Sequence, residues 1–173
     1  MSVPFKVGDR VVYPNHGIGV IEAIQNREIG GNNCSFFSLK IVANDTTVLI
    51  PTQNASNVGL RKTITRRDVD SLFELLKDDQ KAGQSNWKGR FKENSDRMRS
   101  GSIFEVAEVL KALSFLSRSK TLSYREKRML DKARQLVVME VAEVQRTPVE
   151  QVEVEVETAL TNLAMADRAH RGH

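Results

Sequence analysis

Trp87 opens the stretch of this chain in which residue type and spacing promise most chemistry: Ser85-Asn86-Trp87-Lys88-Gly89-Arg90-Phe91-Lys92. Steps of four, three and four place Trp87, Phe91, Asn94 and Met98 on one helical face. Lys88, Arg90, Lys92, Arg97 and Arg99 flank that face. An aromatic ring at a first helical turn, ringed by cations, suits insertion into a minor groove or stacking on an unpaired base. Free N–H groups at such a helix start can also take a phosphate. The competing reading makes Trp87 a core anchor with solvated cations around it. A second group lies further on, where Arg125, Arg128 and Lys132 follow steps of three and four, with Lys127 and Arg134 nearby. Such a row can track a phosphate backbone without reading sequence, or it can simply solubilise a helix.

Other chemistry is poorly supported. There is no phosphate-cradling G-x-x-x-x-G-K-[ST] and no G-x-G-x-x-G after a strand. Of the three histidines, His170 and His173 sit at the end of the chain, and His16 precedes a glycine in a loop-like setting. No His/Cys/carboxylate cluster has metal-ligand spacing. The reading is therefore a binding protein with no catalytic residues, no metal, no cofactor and no small-molecule substrate.

Composition agrees with a polyanionic partner. The net charge is +4, yet Lys81–Arg134 alone holds 14 basic and 6 acidic residues, while 147–173 carries −3. A basic character confined to one segment is a sharper signal than the total. The single cysteine, Cys34, excludes an internal disulfide and fits a reducing compartment; it reads as an inert thiol in a turn. No apolar run is long enough to span a membrane, and the first four residues lack the apolar core of a signal peptide, so a cytoplasmic location is expected.

The elements that must position these residues change period near residue 63. Before it, Phe37, Leu39 and Ile41 alternate with Ser38 and Lys40, and Val48 and Ile50 flank an outward Leu49. Gly30-Gly31-Asn32-Asn33 and Asn44-Asp45 read as turns. Short strands with tight turns predict a small SH3- or Tudor-like β-barrel over 1–62, in which Thr46–Ile50 could be an edge strand offered to a partner. After it, apolar stripes of helical period predict about five helices over 63–166, with a frayed tail over 167–173. Ser102 with Glu105, Ser123 with Glu126 and Thr147 with Glu150 have capping-box spacing, and Pro148 fits a first helical position. The expected class is α+β in two domains.

Several segments are familiar together. Phe5–Pro14 with His16-Gly17, Val48–Pro51 with Val58–Arg61, and Asn86-Trp87 with Arg90–Lys92 form the first part of the series. Ser100–Ser102 with Val106–Val109, Leu122-Ser123 with Glu126–Leu130, and Ala133-Arg134 complete it. In order from about residue 5 to 145, the chain closely resembles the CarD/CdnL family of bacterial RNA polymerase-binding transcription regulators. The resemblance implies a Tudor-like N-terminal module, similar to the polymerase-interacting domain of transcription–repair coupling factors, that pairs a strand edge with the lobe of the polymerase β subunit. It implies a helical domain at the upstream edge of the transcription bubble, where a tryptophan wedges into the minor groove and cations hold phosphates, stabilising the open promoter complex. By position Trp87 is the wedge, and Arg90, Lys92, Lys127 and Arg128 match DNA-contacting cations, beside which Arg125 and Lys132 extend the row. Arg27, Thr47 and Leu49 match polymerase-facing positions, where some relatives carry a basic residue in place of Leu49. The implied protein is a monomer, held at the nucleoid through the polymerase. Two other readings stay open: a free-standing nonspecific DNA-binding protein, and a protein–protein adaptor with a basic face.

Overall fold

The computed structural model describes the backbone of residues 5–78 and 87–171 and the side chains of 5–78 and 91–161. The chain divides into a sheet unit, residues 1–63, and a helical unit, residues 64–173.

The sheet unit is antiparallel, with strands β1 (Arg10–Tyr13), β2 (Gly17–Ile29), β3 (Asn32–Ile41), β4 (Thr47–Pro51) and β5 (Arg61–Lys62) in the order β4-β3-β2-β1-β5. Alternation fixes its inner face. Ile21 pairs with Leu39 and Leu39 with Val48, while Phe37 pairs with Ile50. Ile21, Phe37 and Leu39 are fully buried, and Phe5, Val11, Ile41, Ala55 and Leu60 close the core around them. Gly19 is required here, because a Cβ at that position would lie 2.7 Å from Leu39 Cδ1. A bulge in β2 between Ile21 and Ala23 adds a residue and sharpens the twist of the long strand.

The β2–β3 turn is tighter than the sequence reading gave. Ile29 pairs with Asn32, so the loop is Gly30-Gly31 alone, with φ of 59° and 83°. Two consecutive positive φ values define a hairpin turn whose twist matches its strands, and glycine adopts them without a Cβ clash. Asn32 and Asn33 therefore belong to β3, and so does Cys34, which is a half-buried strand residue and not a turn residue.

The helical unit comprises α1 (Arg66–Lys77), α2 (Trp87–Arg99), α3 (Ile103–Ser119), α4 (Tyr124–Gln145) and α5 (Val149–Arg171). Its core runs through Leu72 and Leu76 of α1, Leu110 of α3, Val137 and Val141 of α4, and Val156 and Leu160 of α5. Helix α5 continues to Arg171, past residue 166 where the helical domain was expected to end.

The capping assignments divide. Ser123 accepts from the Glu126 N–H (3.2 Å) while Glu126 accepts from the Ser123 N–H (2.9 Å), as the spacing requires. Ser102 makes no side-chain cap bond, and Glu105 does not close the box but pairs with Arg97 on α2, Oε2 to Nε 3.5 Å. The Thr147 hydroxyl donates to Gln145 Oε1, and the first carbonyl to accept from α5 belongs to Pro148, so Pro148 sits one place earlier than expected. A box the sequence reading missed opens α1, between Thr65 and Asp68, where aspartate replaces the glutamate or glutamine of the usual pattern. Thr65's backbone N–H and hydroxyl hold the Asp68 carboxyl below its ordinary range. The stabilisation this carries is present above the unfolded carboxyl's pKa and is lost as pH falls through the folded one.

The last helical joint is a buried carboxylate. Glu140 on α4 is 1% exposed and accepts from the Ile64 N–H at 2.9 Å, fixing the first residue of the unit to its longest-range partner.

The two caps give a clean contrast in urea unfolding. Thr65→Ala should cost about 1 kcal/mol, the usual worth of a working N-cap hydroxyl. Ser102→Ala, which removes no cap bond, should stay within about 0.5 kcal/mol of wild type.

Candidate nucleic-acid interface

Helix α2 is short of apolar residues, and its described buried positions are Asn94 and Met98. The face shared by Trp87, Phe91, Asn94 and Met98 therefore points inward at its C-terminal end. Phe91, one turn before Asn94, is half-buried. The side chains of Trp87 and Arg90 lie outside the described residues; their backbone forms the first turn of α2.

Phe91 is also where α2 meets the cationic row of α4. The Arg125 guanidinium lies over the Phe91 ring, 4.1 Å from its centroid. A guanidinium stacked on a ring gains from the ring quadrupole yet keeps its in-plane N–H groups free. Arg125, expected as a DNA contact, is thus also the clasp that brings the two cationic segments together. Arg128, one turn on, lies 5.8 Å from the Tyr124 ring centroid.

Carboxylates sort the remaining cations. Arg97 binds Glu93 (3.1 Å) and Glu105 (3.5 Å), Arg99 binds Asp96 (2.7 Å), and Arg134 binds Glu157 (3.0 Å). Lys92, Arg125, Lys127, Arg128 and Lys132 have no such partner among the described residues. Lys92, Arg125, Lys127 and Arg128 are exposed and Lys132 is half-buried. The exposed Asp131 beside them is paired with none of them. Of the positions expected to meet phosphate, the five whose side chains are described form no carboxylate ion pair among the described residues, a state they share with the exposed Arg66, Arg67, Lys77 and Arg146 elsewhere on the unit.

The sheet unit gathers its three candidate residues on one face. Residues paired directly across a ladder share a face, as do alternate residues of a strand. Thr47 pairs with Lys40, Leu49 with Ser38, and Arg27 with Cys34. Lys40, Ser38 and Cys34 are alternate residues of β3, so Arg27, Thr47 and Leu49 all lie opposite the core. Arg27 and Thr47 are exposed and Leu49 is 38% exposed. β4 ends the strand order, leaving one of its edges without a ladder partner among the described residues. Val20 and Gly17 pair within the sheet, while His16 stacks edge-on against Tyr13 (4.6 Å) as a loop residue. Among the described residues there is no His/Cys/Asp/Glu cluster able to hold a metal, and no helix long and apolar enough to cross a membrane.

Comparison with known proteins covers both units. The model of the CarD-like/TRCF RID domain matches residues 5–64, and that of the CarD C-terminal domain matches residues 71–157. YdeB of Bacillus subtilis (strain 168), a candidate transcription factor by its name, is 31% identical over 136 residues, spanning 79% of this chain and 89% of its own. A solved structure titled CdnLNt from Myxococcus xanthus is 38% identical, covers 38% of this chain and 93% of its own, and has a TM-score of 0.33.

The clasp is open to a double-mutant cycle. Phe91→Ala and Arg125→Ala, measured singly and together by chemical unfolding, should show a coupling of about 0.5–1 kcal/mol, as for a partly exposed cation–ring pair. A coupling of zero would mean that the two segments are held together by other contacts.

Proposed function

The chain belongs to the CarD/CdnL family of transcription regulators that interact with RNA polymerase, and from that premise we propose that it docks on the lobe of the polymerase β subunit and stabilises the open promoter complex. The sheet unit supplies the dock and the helical unit the DNA contacts. The observation that carries this reading is the sorting of cations: the family-matched Lys92, Lys127 and Arg128 lack carboxylate partners among the described residues, while neighbouring Arg97, Arg99 and Arg134 are neutralised.

Each part has a physical role. The open edge of β4 offers backbone donors and acceptors to a strand of the β subunit, and Arg27, Thr47 and Leu49 on the outer face add side-chain contacts beside it. Lys92, Lys127 and Arg128, with Arg90, Arg125 and Lys132, hold the phosphates of the promoter duplex without selecting sequence. Trp87 enters the minor groove at the upstream edge of the bubble, where the duplex is already opening and unstacking costs least. A few phosphate contacts bind DNA weakly on their own. Tethering through the polymerase raises the local concentration of the helical unit at the promoter, so the weak contacts suffice. In this reading the protein acts as a monomer, in the cytoplasm, at the nucleoid through its polymerase.

Three measurements on the full chain test it. Arg27→Glu should weaken binding to the β lobe without altering the melting of the helical unit. Lys92→Ala, Lys127→Ala and Arg128→Ala should each flatten the salt dependence of DNA binding by about one unit of slope, whereas Arg99→Ala should leave it unchanged. Trp87→Ala should fold normally, bind polymerase and shorten the open-complex half-life. If Trp87 were a core anchor, that substitution would instead cost roughly 3–5 kcal/mol of stability. Equal DNA affinity with and without polymerase would favour a free-standing DNA-binding protein, and no DNA footprint at all would favour an adaptor.

A further inference from the structure

Tyr124 is 73% exposed at the first position of α4, a large fraction for a tyrosine ring in a domain with a continuous core. Side chains on a helix tilt toward its N-terminus, so a ring at the first position projects past the helix start. Its hydroxyl has no hydrogen-bond partner among the described residues. The Arg128 guanidinium is set toward one side of the ring, 5.8 Å from its centroid.

Its surroundings are cationic for a reason specific to this helix. The first two turns of α4 hold one acid, Glu126, which is 6% exposed and folded back onto the Ser123 N–H. The outward side chains there are Tyr124, Arg125, Lys127 and Arg128, all exposed and, for the three cations, free of carboxylate partners among the described residues. The positive end of the helix dipole adds to the same field. A neutral hydroxyl donor placed among unpaired cations, at the positive end of a helix, is set to donate to an anion.

Resting on the DNA-binding reading of this face, we propose that Tyr124 is a further DNA contact whose phenol hydroxyl donates to a phosphate oxygen on the track held by Lys127 and Arg128. Tyrosine is among the side chains that make such backbone contacts. The contact adds affinity and register but no sequence preference.

Because the donor is neutral, it displaces no condensed counterion, and this separates it from its neighbours. The full chain is titrated against a fluorescently labelled duplex of mixed sequence over a range of salt, comparing Tyr124→Phe, Tyr124→Ala, Lys127→Ala and Arg128→Ala. Tyr124→Phe keeps the ring under Arg128 and removes the hydroxyl. It should weaken binding about tenfold at fixed salt, the worth of a hydrogen bond to a charged acceptor. Its salt slope should match wild type, while Lys127→Ala and Arg128→Ala each flatten the slope by about 0.9. Wild-type affinity for Tyr124→Phe alongside weakened Lys127→Ala and Arg128→Ala would overturn the phosphate contact and leave the basic face standing. Loss in Tyr124→Ala without loss in Tyr124→Phe would also overturn it, since the ring and not the hydroxyl would then be the contact. Unchanged binding in all four would overturn the DNA-binding reading itself.

Discussion

The guanidinium of Arg125, stacked 4.1 Å from the centre of the Phe91 ring, joins the two segments to which the proposed DNA contacts are assigned. Helix α2 carries few apolar side chains and holds to the core through Met98 and Asn94 near its C-terminal end. The stack at Phe91 adds an attachment to α4. It does so with a charged group, which needs no apolar face on α4 and leaves the N–H groups of Arg125 available to phosphate.

The second constraint is the cost of leaving charge without water or partner. Glu140, almost fully buried, is given the Ile64 N–H and so ties the start of the helical unit to α4. Glu126 is drawn into a helix cap and adds no negative charge to the outer surface of α4. Glu105, in the first turn of α3, reaches across to Arg97 on α2. Glu126 and Glu105 are thus engaged in structure, and Lys92, Lys127 and Arg128 stay exposed and without carboxylate partners among the described residues, although the exposed Asp131 lies nearby.

The sheet unit meets a different constraint, which is that an edge strand exposes backbone groups. β1 is covered on one side by β5 and on the other by β2, while β4 has β3 alone. The outward Leu49, 38% exposed, and the exposed Thr47 stand on that strand. In the proposed docking a partner strand would satisfy this edge, with Arg27 two strands away on the same face.

The sequence by itself determined the local structure. Alternation at Phe37, Leu39 and Ile41 set the inner face of β3, and the stripes of helical period set five helices. These follow from periodicity and from caps such as Ser123, which involve residues within four positions of each other. Even so, the aspartate box at Thr65 was legible in the sequence and was overlooked. Tertiary structure alone decided the pairs that join helices, since Arg134 finds Glu157 on α5 and Arg97 finds Glu105 on α3, whereas Arg97 with Glu93 and Arg99 with Asp96 have helical spacing. It alone placed Arg125 over Phe91, 34 residues earlier in the chain, and put Arg27 on one face with Thr47 and Leu49. The physical reason is the same in each case: hydrogen-bond periodicity is local, but charge pairing, stacking and strand register depend on which distant segments the core brings within a few ångströms.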